Sequence, residues 1–112
     1  VSLVLRGIHG VGGSADLWCC SLHHLKHLKE MELTDCRLQS SDIEHVAAAV
    51  SGMPALETLS LGGNPSLRGS AKTWAPSLKL MKHVSKLKLW GCSLTEEDRK
   101  RVTEVWEREV VF

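Results

Sequence analysis

The chain has 112 residues and a formal net charge of +1, which is the size of a single domain with one hydrophobic core. A charge so close to zero gives no long-range attraction for nucleic acid or an anionic membrane, so neither is expected as a partner. No apolar run approaches the roughly 20 residues of a membrane-spanning helix, and the first residues, which do not begin with Met, carry no signal-peptide pattern.

Strand-like segments with an L-x-L centre recur along the chain, and their second leucines are Leu5, Leu33, Leu61 and Leu89. The step of about 28 residues lies within the range of leucine-rich repeats. A longer similarity, such as Trp18 with Trp74, indicates that two repeat types alternate. The fuller pattern L-x-x-L-x-L-x-x-N/C-x-L is matched by Leu28, Met31, Leu33, Cys36 and Leu38, by Val84, Leu87, Leu89, Cys92 and Leu94, and, with a delay at Pro65-Ser66, by Leu56, Leu59, Leu61, Asn64 and Leu67.

Each L-x-L pair puts two side chains on one face of a short strand, and neighbouring repeats are needed to bury them. The Asn or Cys that follows stands where the chain leaves the strand, so its side chain is expected to bond backbone groups that the turn leaves unpaired. Ile8 cannot do this, which predicts an irregular first repeat. Cys36 and Cys92 occupy equivalent positions, which favours buried free thiols and a reducing, cytoplasmic compartment.

Helices are predicted between the strands. Ser41-x-x-Glu44 has the spacing of a capping box, and Gly52 and Pro54 are expected to end the helix that follows it. The apolar face of that helix comprises Ile43, Val46, Ala47 and Val50.

The later helices show the same kind of signals. Thr95-x-x-Asp98 predicts another helix N-terminus. Pro76 is expected to split the helix that precedes the fourth strand. The apolar faces of these two helices comprise Val102, Val105 and Trp106, and Trp74, Leu78 and Met81.

Parallel strands backed by helices predict an α/β fold over residues 1–112: a leucine-rich repeat solenoid of about four repeats, with a curved parallel sheet and helices on its convex side. The pattern is similar to the ribonuclease-inhibitor class of leucine-rich repeats. Residues 53–61 (MPALETLSL) and Gly63-Asn64 resemble the C-terminal repeats of NOD-like receptors. The resemblance implies a non-enzymatic protein- or ligand-recognition module, the sensor region of a cytosolic innate-immune receptor. The alternative is a leucine-rich-repeat regulator of an enzyme, of the nuclease-inhibitor or GTPase-activating type.

The concave strand face is the usual partner surface of such folds, and the x positions of the strands point toward it. It is acidic on the second strand and basic on the fourth, where Trp90 lies. An exposed Trp among charged residues is typical of an interface anchor. Alternatively, Trp90 stacks on its own neighbours and the charges merely solvate the sheet. The predicted binding residues are Glu30, Glu32, Thr34, Asp35, Thr58, Ser60, Lys86, Lys88 and Trp90.

Cys19, His23 and His27 are spaced to align metal ligands on one helical stripe. Cys19 and Cys20 correspond to Ala75 and Pro76 of the later repeat, however, so we expect no metal and no cofactor. The glycine-rich residues 7–13 lack the Lys-Ser/Thr ending of a phosphate loop, and no catalytic arrangement is recognisable. The sequence therefore predicts a protein that is not an enzyme.

The sequence leads to a structural expectation for each end of the chain. Residues 95–112 have mixed charges at helical spacing, which predicts a C-terminal capping helix. Val1 opens on a strand with no cap before it, so we expect the chain to be the C-terminal part of a longer protein. The uncapped edge, with Leu3, Leu5, Ile8 and Val11, is expected to favour self-association.

Overall fold

A computed structural model describes residues 2–6 and 27–112 of the chain. Within these ranges five strands form one sheet, in chain order and with every neighbouring pair parallel. The α/β class and the parallel sheet predicted from the sequence are confirmed. The strands are β1 (Ser2–Arg6), β2 (Glu30–Thr34), β3 (Thr58–Ser60), β4 (Lys86–Lys88) and β5 (Glu109–Val111).

The spacing of the leucines sets the register of the first four strands. Leu3 lies opposite Met31, Met31 opposite Leu59, and Leu59 opposite Leu87. Met31, Leu59 and Leu87 are buried, and Leu3 packs against the same core. Because side chains alternate along a strand, this register puts apolar side chains on one face of the sheet and the intervening polar side chains on the other.

Helical segments cover the apolar face and contribute the other half of the core. Within the described residues there are three α-helices, and a 3₁₀ helix lies on either side of the second of them. The Pro76 interruption is confirmed, because α-helical geometry ends at Trp74 and a 3₁₀ helix follows. The α-helices are α1 (Ser40–Ser51), α2 (Ala71–Trp74) and α3 (Glu96–Val105), and the 3₁₀ helices are Pro65–Leu67 and Ala75–Leu80.

The sheet is open and is not curled, so the curvature predicted from the sequence is not found. Curvature in stacked strand–helix units comes from a small rotation at each unit. The curvature increases because helices packed side by side are about 8–10 Å apart, whereas the strands beneath them are about 4.8 Å apart. The short α2 and the narrow 3₁₀ helices reduce that difference, and few strands are present to accumulate it. None of the helices in residues 2–6 and 27–112 combines the length and apolar character needed to cross a membrane.

Helix α1 buries all the apolar residues predicted for its face, and its end before Gly52 is also as predicted. Its beginning was predicted wrongly. The N-cap is Gln39, whose backbone N–H donates to Asp42 Oδ2 at 2.8 Å, whereas Ser41 and Glu44 are exposed. The physical reason is the complete burial of Leu38: the core holds the chain up to that residue, so the helix begins earlier than its polar pattern indicated.

The C-terminal segment differs from the predicted capping helix over 95–112. The N-terminus at Thr95 is confirmed, but the helix ends at Val105 and the chain returns to the sheet as β5. Trp106 is buried, and its Nε1–H donates to the Glu109 carbonyl at 2.9 Å. The Leu89 N–H donates to the Val111 carbonyl at 2.6 Å. Pairing of β4 with β5 therefore satisfies backbone groups that a continued helix would have left open.

The buried cysteines behave as the repeat pattern predicted. Cys36 and Cys92 are almost fully buried. Their thiols donate to the carbonyls of Thr34 at 3.3 Å and Leu61 at 3.1 Å. Burial raises the pKa of the Cys92 thiol, which keeps it protonated and unreactive. The positions of Cys19, Cys20, Ile8 and Val11 lie outside the described residues.

Asn64 shows most fully the role predicted for the Asn/Cys position. It is completely buried. Its Oδ1 accepts the backbone N–H groups of Cys36 at 3.0 Å and Leu38 at 3.1 Å. Its Nδ2 donates to the carbonyls of Leu33 at 3.0 Å and Leu61 at 2.7 Å. One carboxamide therefore joins the turns that follow β2 and β3.

We predict that Asn64→Ala lowers the free energy of unfolding by about 3 kcal/mol, because several buried backbone groups lose their partners. Urea denaturation followed by circular dichroism measures this as a lower midpoint at unchanged slope. Ser66→Ala, at an exposed position of the following 3₁₀ helix, is the control and should change the midpoint little. Equal midpoints for the two variants would contradict the role assigned to Asn64.

Asp98 joins α3 to the turn before α2. Its carboxylate accepts the N–H groups of Gly69 at 2.6 Å, Thr95 at 3.0 Å and Ala71 at 3.2 Å. Burial alone would raise the pKa of this carboxyl, but the three N–H donors and the Thr95 hydroxyl outweigh it, so the pKa is lowered. The charged form is therefore the one that stabilises the fold.

Because the pKa of Asp98 is lower in the folded state, its contribution is fully present above the unfolded value of about 3.9 and is lost as pH falls through the folded value. We predict that acid below about pH 4 lowers the free energy of unfolding and that Asp98→Asn reduces this pH dependence. Urea midpoints between pH 2 and 7 measure it. Glu96→Gln removes the same charge at an exposed position and should leave the profile unchanged; matching profiles for both variants would refute the prediction.

Candidate binding surface

The face of the sheet opposite the helices, called here the strand face, carries the residues predicted to bind a partner. They differ in accessibility. Glu30, Asp35 and Trp90 are exposed, and Glu32, Thr58, Lys86 and Lys88 are half-buried. Thr34 and Ser60 are buried, so they offer a partner little surface. The structure thus brings the predicted strand residues onto one face, with Asp35 in the turn after β2, but leaves only some of them accessible.

The acidic side of the strand face lies on β2. Glu30 and Glu32 stand two residues apart on the strand, and Asp35 follows its end. Asp35 has a positive φ of 53°, a backbone conformation that Asp tolerates better than most residues. Its N–H donates to the Gly62 carbonyl at 3.0 Å, which continues the pairing with the next strand. Three carboxylate residues therefore lie within the six consecutive residues from Glu30 to Asp35.

The basic side lies on β4, where the two lysines have different surroundings. Lys86 forms an ion pair with Glu109 of β5, with Nζ and Oε2 3.1 Å apart. Among the described residues, no carboxylate lies within ion-pairing distance of Lys88. Glu109 was not predicted as part of this surface, because residues 95–112 were interpreted as helix. Within the part of the chain that the structure describes, Lys88 is therefore the β4 lysine whose positive charge is left uncompensated.

Trp90 lies over a position that has no side chain. A Cβ built on Gly62 would stand 2.8 Å from Trp90 Nε1 and closer still to the indole carbon Cε2. The indole thus rests against the Gly62 backbone, yet Trp90 remains 42% exposed. The packing on Gly62 agrees with the interpretation that Trp90 stacks on its own neighbours, and its role as an interface anchor stays a prediction.

Two hydroxyl groups on the strand face are buried without hydrogen-bond partners. They are Thr34 Oγ1 and Ser60 Oγ. Thr34 is in the strand position aligned with Gly62 and Trp90, and Ser60 lies in register with Lys88. An unpaired buried hydroxyl costs free energy. The hydrogen bonding of buried polar groups is therefore less complete in this part of the sheet than in the turns around Asn64.

No group of three or more His, Cys, Asp or Glu side chains within residues 2–6 and 27–112 is arranged to hold a metal ion. His27, one member of the considered cluster, is exposed in a turn, while Cys19, Cys20 and His23 lie outside the described residues. The expectation that no metal binds stays a prediction.

No protein-family model matches the sequence, and no solved structure matches the chain. What can be said of its function therefore depends on its own residues.

We predict that Gly62→Ala displaces the Trp90 indole, because the added methyl would overlap it. The backbone of Gly62 does not have a positive φ, so alanine itself is tolerated there. The change should destabilise the fold by about 1 kcal/mol and increase acrylamide quenching of the Trp90 fluorescence, obtained by subtracting the spectrum of Trp90→Phe. In the double variant Gly62→Ala/Trp90→Ala the overlap is gone, so the two stability effects should be less than additive. Strict additivity would show that the ring does not rest on Gly62.

Proposed function

We propose that the chain is a non-enzymatic protein-recognition module, a leucine-rich repeat solenoid of the ribonuclease-inhibitor class that binds its partner through the strand face. The resemblance to the C-terminal repeats of NOD-like receptors favours a role as the sensor region of a cytosolic innate-immune receptor. The buried thiols of Cys36 and Cys92 fit a reducing compartment.

The observation that carries the proposal is the division of the sheet into two faces. One face is fully used by the core, whereas the other holds separated acidic and basic side chains around an exposed Trp90. A rigid sheet positions such side chains without the entropy cost of ordering a loop. Separated charges select and orient a partner, and an aromatic anchor supplies apolar contact area.

A matched comparison of surface variants tests this proposal. The chain and its variants are used for affinity capture from cytosolic extract, and partners are quantified by mass spectrometry. Glu30→Lys and Trp90→Ala change the strand face. Glu44→Lys and Leu80→Ala change exposed residues of the helical layer and serve as the charge and apolar controls.

We expect one stoichiometric partner that is lost, by at least about tenfold, with the strand-face variants and retained with both controls. A partner that is retained by every variant, or lost only with the helical-layer variants, would contradict binding through the strand face. A nuclease or a GTPase as the main stoichiometric partner would replace the receptor role with that of an enzyme regulator.

A further inference from the structure

Exposed large apolar side chains are few in the described residues, and two of the three lie on the strand face. They are Trp90, 42% exposed, and Val111, 37% exposed; the third, Leu80, lies in the helical layer. Val111 of β5 stands directly opposite Lys88 of β4, and Trp90 follows Lys88 by two residues. Lys88 therefore has one apolar side chain two residues further along the chain and another directly across on β5.

Lys88 differs from Lys86 in its charged neighbours. Its neighbour Lys86 already has Glu109 at 3.1 Å, whereas no described carboxylate pairs with Lys88. Lys88 is also half-buried. An ion pair formed beside apolar groups that exclude water is stronger than one in open solvent, so a partner carboxylate would gain more at Lys88 than at an ordinary surface lysine.

A hydrogen-bond donor lies on the next strand. Ser60 of β3 is in register with Lys88, is only 3% exposed, and its Oγ has no partner. Neighbouring strands are about 4.8 Å apart. The hydroxyl is itself out of reach of a partner, so Ser60 is not part of the contact site proposed below.

We propose that Lys88, Trp90 and Val111 form the contact site for a partner segment in which a carboxylate side chain is flanked by apolar side chains. This inference rests on the proposed function and specifies the chemistry of the partner. Lys88 binds the carboxylate, while Trp90 and Val111 cover the apolar side chains.

A peptide selection on the intact chain tests the site. Random twelve-residue peptides displayed on phage are selected on the immobilised protein, and the enriched peptides are synthesised. Their affinities are measured for the unchanged chain and for Trp90→Ala, Lys88→Gln and Lys86→Gln. The two lysine variants are a matched pair on the same strand, since Lys86 is already paired with Glu109. Amide NMR spectra confirm that each variant is folded.

We expect the enriched peptides to combine Asp or Glu with neighbouring apolar residues. Lys88→Gln should weaken their binding about tenfold, which is 1.4 kcal/mol, and Lys86→Gln less than about twofold. Raising the salt concentration should weaken binding to the unchanged chain more than to Lys88→Gln.

The other outcomes separate the two proposals. One such outcome is a set of peptides that need Trp90 but are neutral or basic; another is a set that binds Lys88→Gln as well as the unchanged chain. Either outcome would overturn the proposal of an acidic partner, but it would not contradict binding through the strand face. If no selected peptide depended on Trp90 or on Lys88, recognition through the strand face would itself be refuted.

Discussion

The leucines of neighbouring strands leave water only when the strands stand side by side in one register, and most of the structure follows from this constraint. Met31, Leu59 and Leu87 are aligned across the sheet and buried. A shift of one residue would turn these side chains to the opposite face. The same alignment brings every intervening residue to the strand face. The surface that we propose as the binding site is therefore a geometric consequence of burying the core.

Parallel strands each require a turn at their end, and the polar side chains at those turns stabilise the arrangement. Asn64 serves the turns after β2 and β3, while Asp98 connects the N-terminus of α3 with the turn before α2. Each links segments distant in the sequence by satisfying backbone groups that would otherwise be buried without partners. In contrast, Thr34 and Ser60 on the strand face leave their hydroxyls unpaired. Buried polar groups thus have hydrogen-bond partners at the turns, where the chain changes direction, whereas these two hydroxyls of the strand face do not.

The strand face owes its character to a few contacts between adjacent strands. Glu109 neutralises Lys86 but not Lys88, and the missing side chain of Gly62 leaves room for the Trp90 indole. Val111 adds an apolar side chain opposite Lys88. Within the described residues, these contacts leave Lys88 as an uncompensated cation bordered by the apolar surfaces of Trp90 and Val111. That combination can distinguish an acidic, apolar partner segment from one that is merely acidic.

The sequence by itself determined the parallel α/β fold, the faces of the helices and the role of the Asn/Cys positions. Each follows from local periodicity or from the chemistry of one side chain, as in the Thr95–Asp98 capping box and the break at Pro76. It also identified the residues of the strand face, because alternation along a strand decides which way they point.

Only the tertiary structure decided the beginning of α1, the lack of curling in the sheet and the conformation of the C-terminal segment. Burial of Leu38 overrode the Ser41–Glu44 capping pattern, and pairing with β4 turned residues after Trp106 into a strand despite their helix-like charges. The ion pair of Lys86 and the packing of Trp90 on Gly62 likewise join residues of different strands. Periodicity along one segment carries no information about such contacts, because they depend on which neighbour a side chain meets across the sheet.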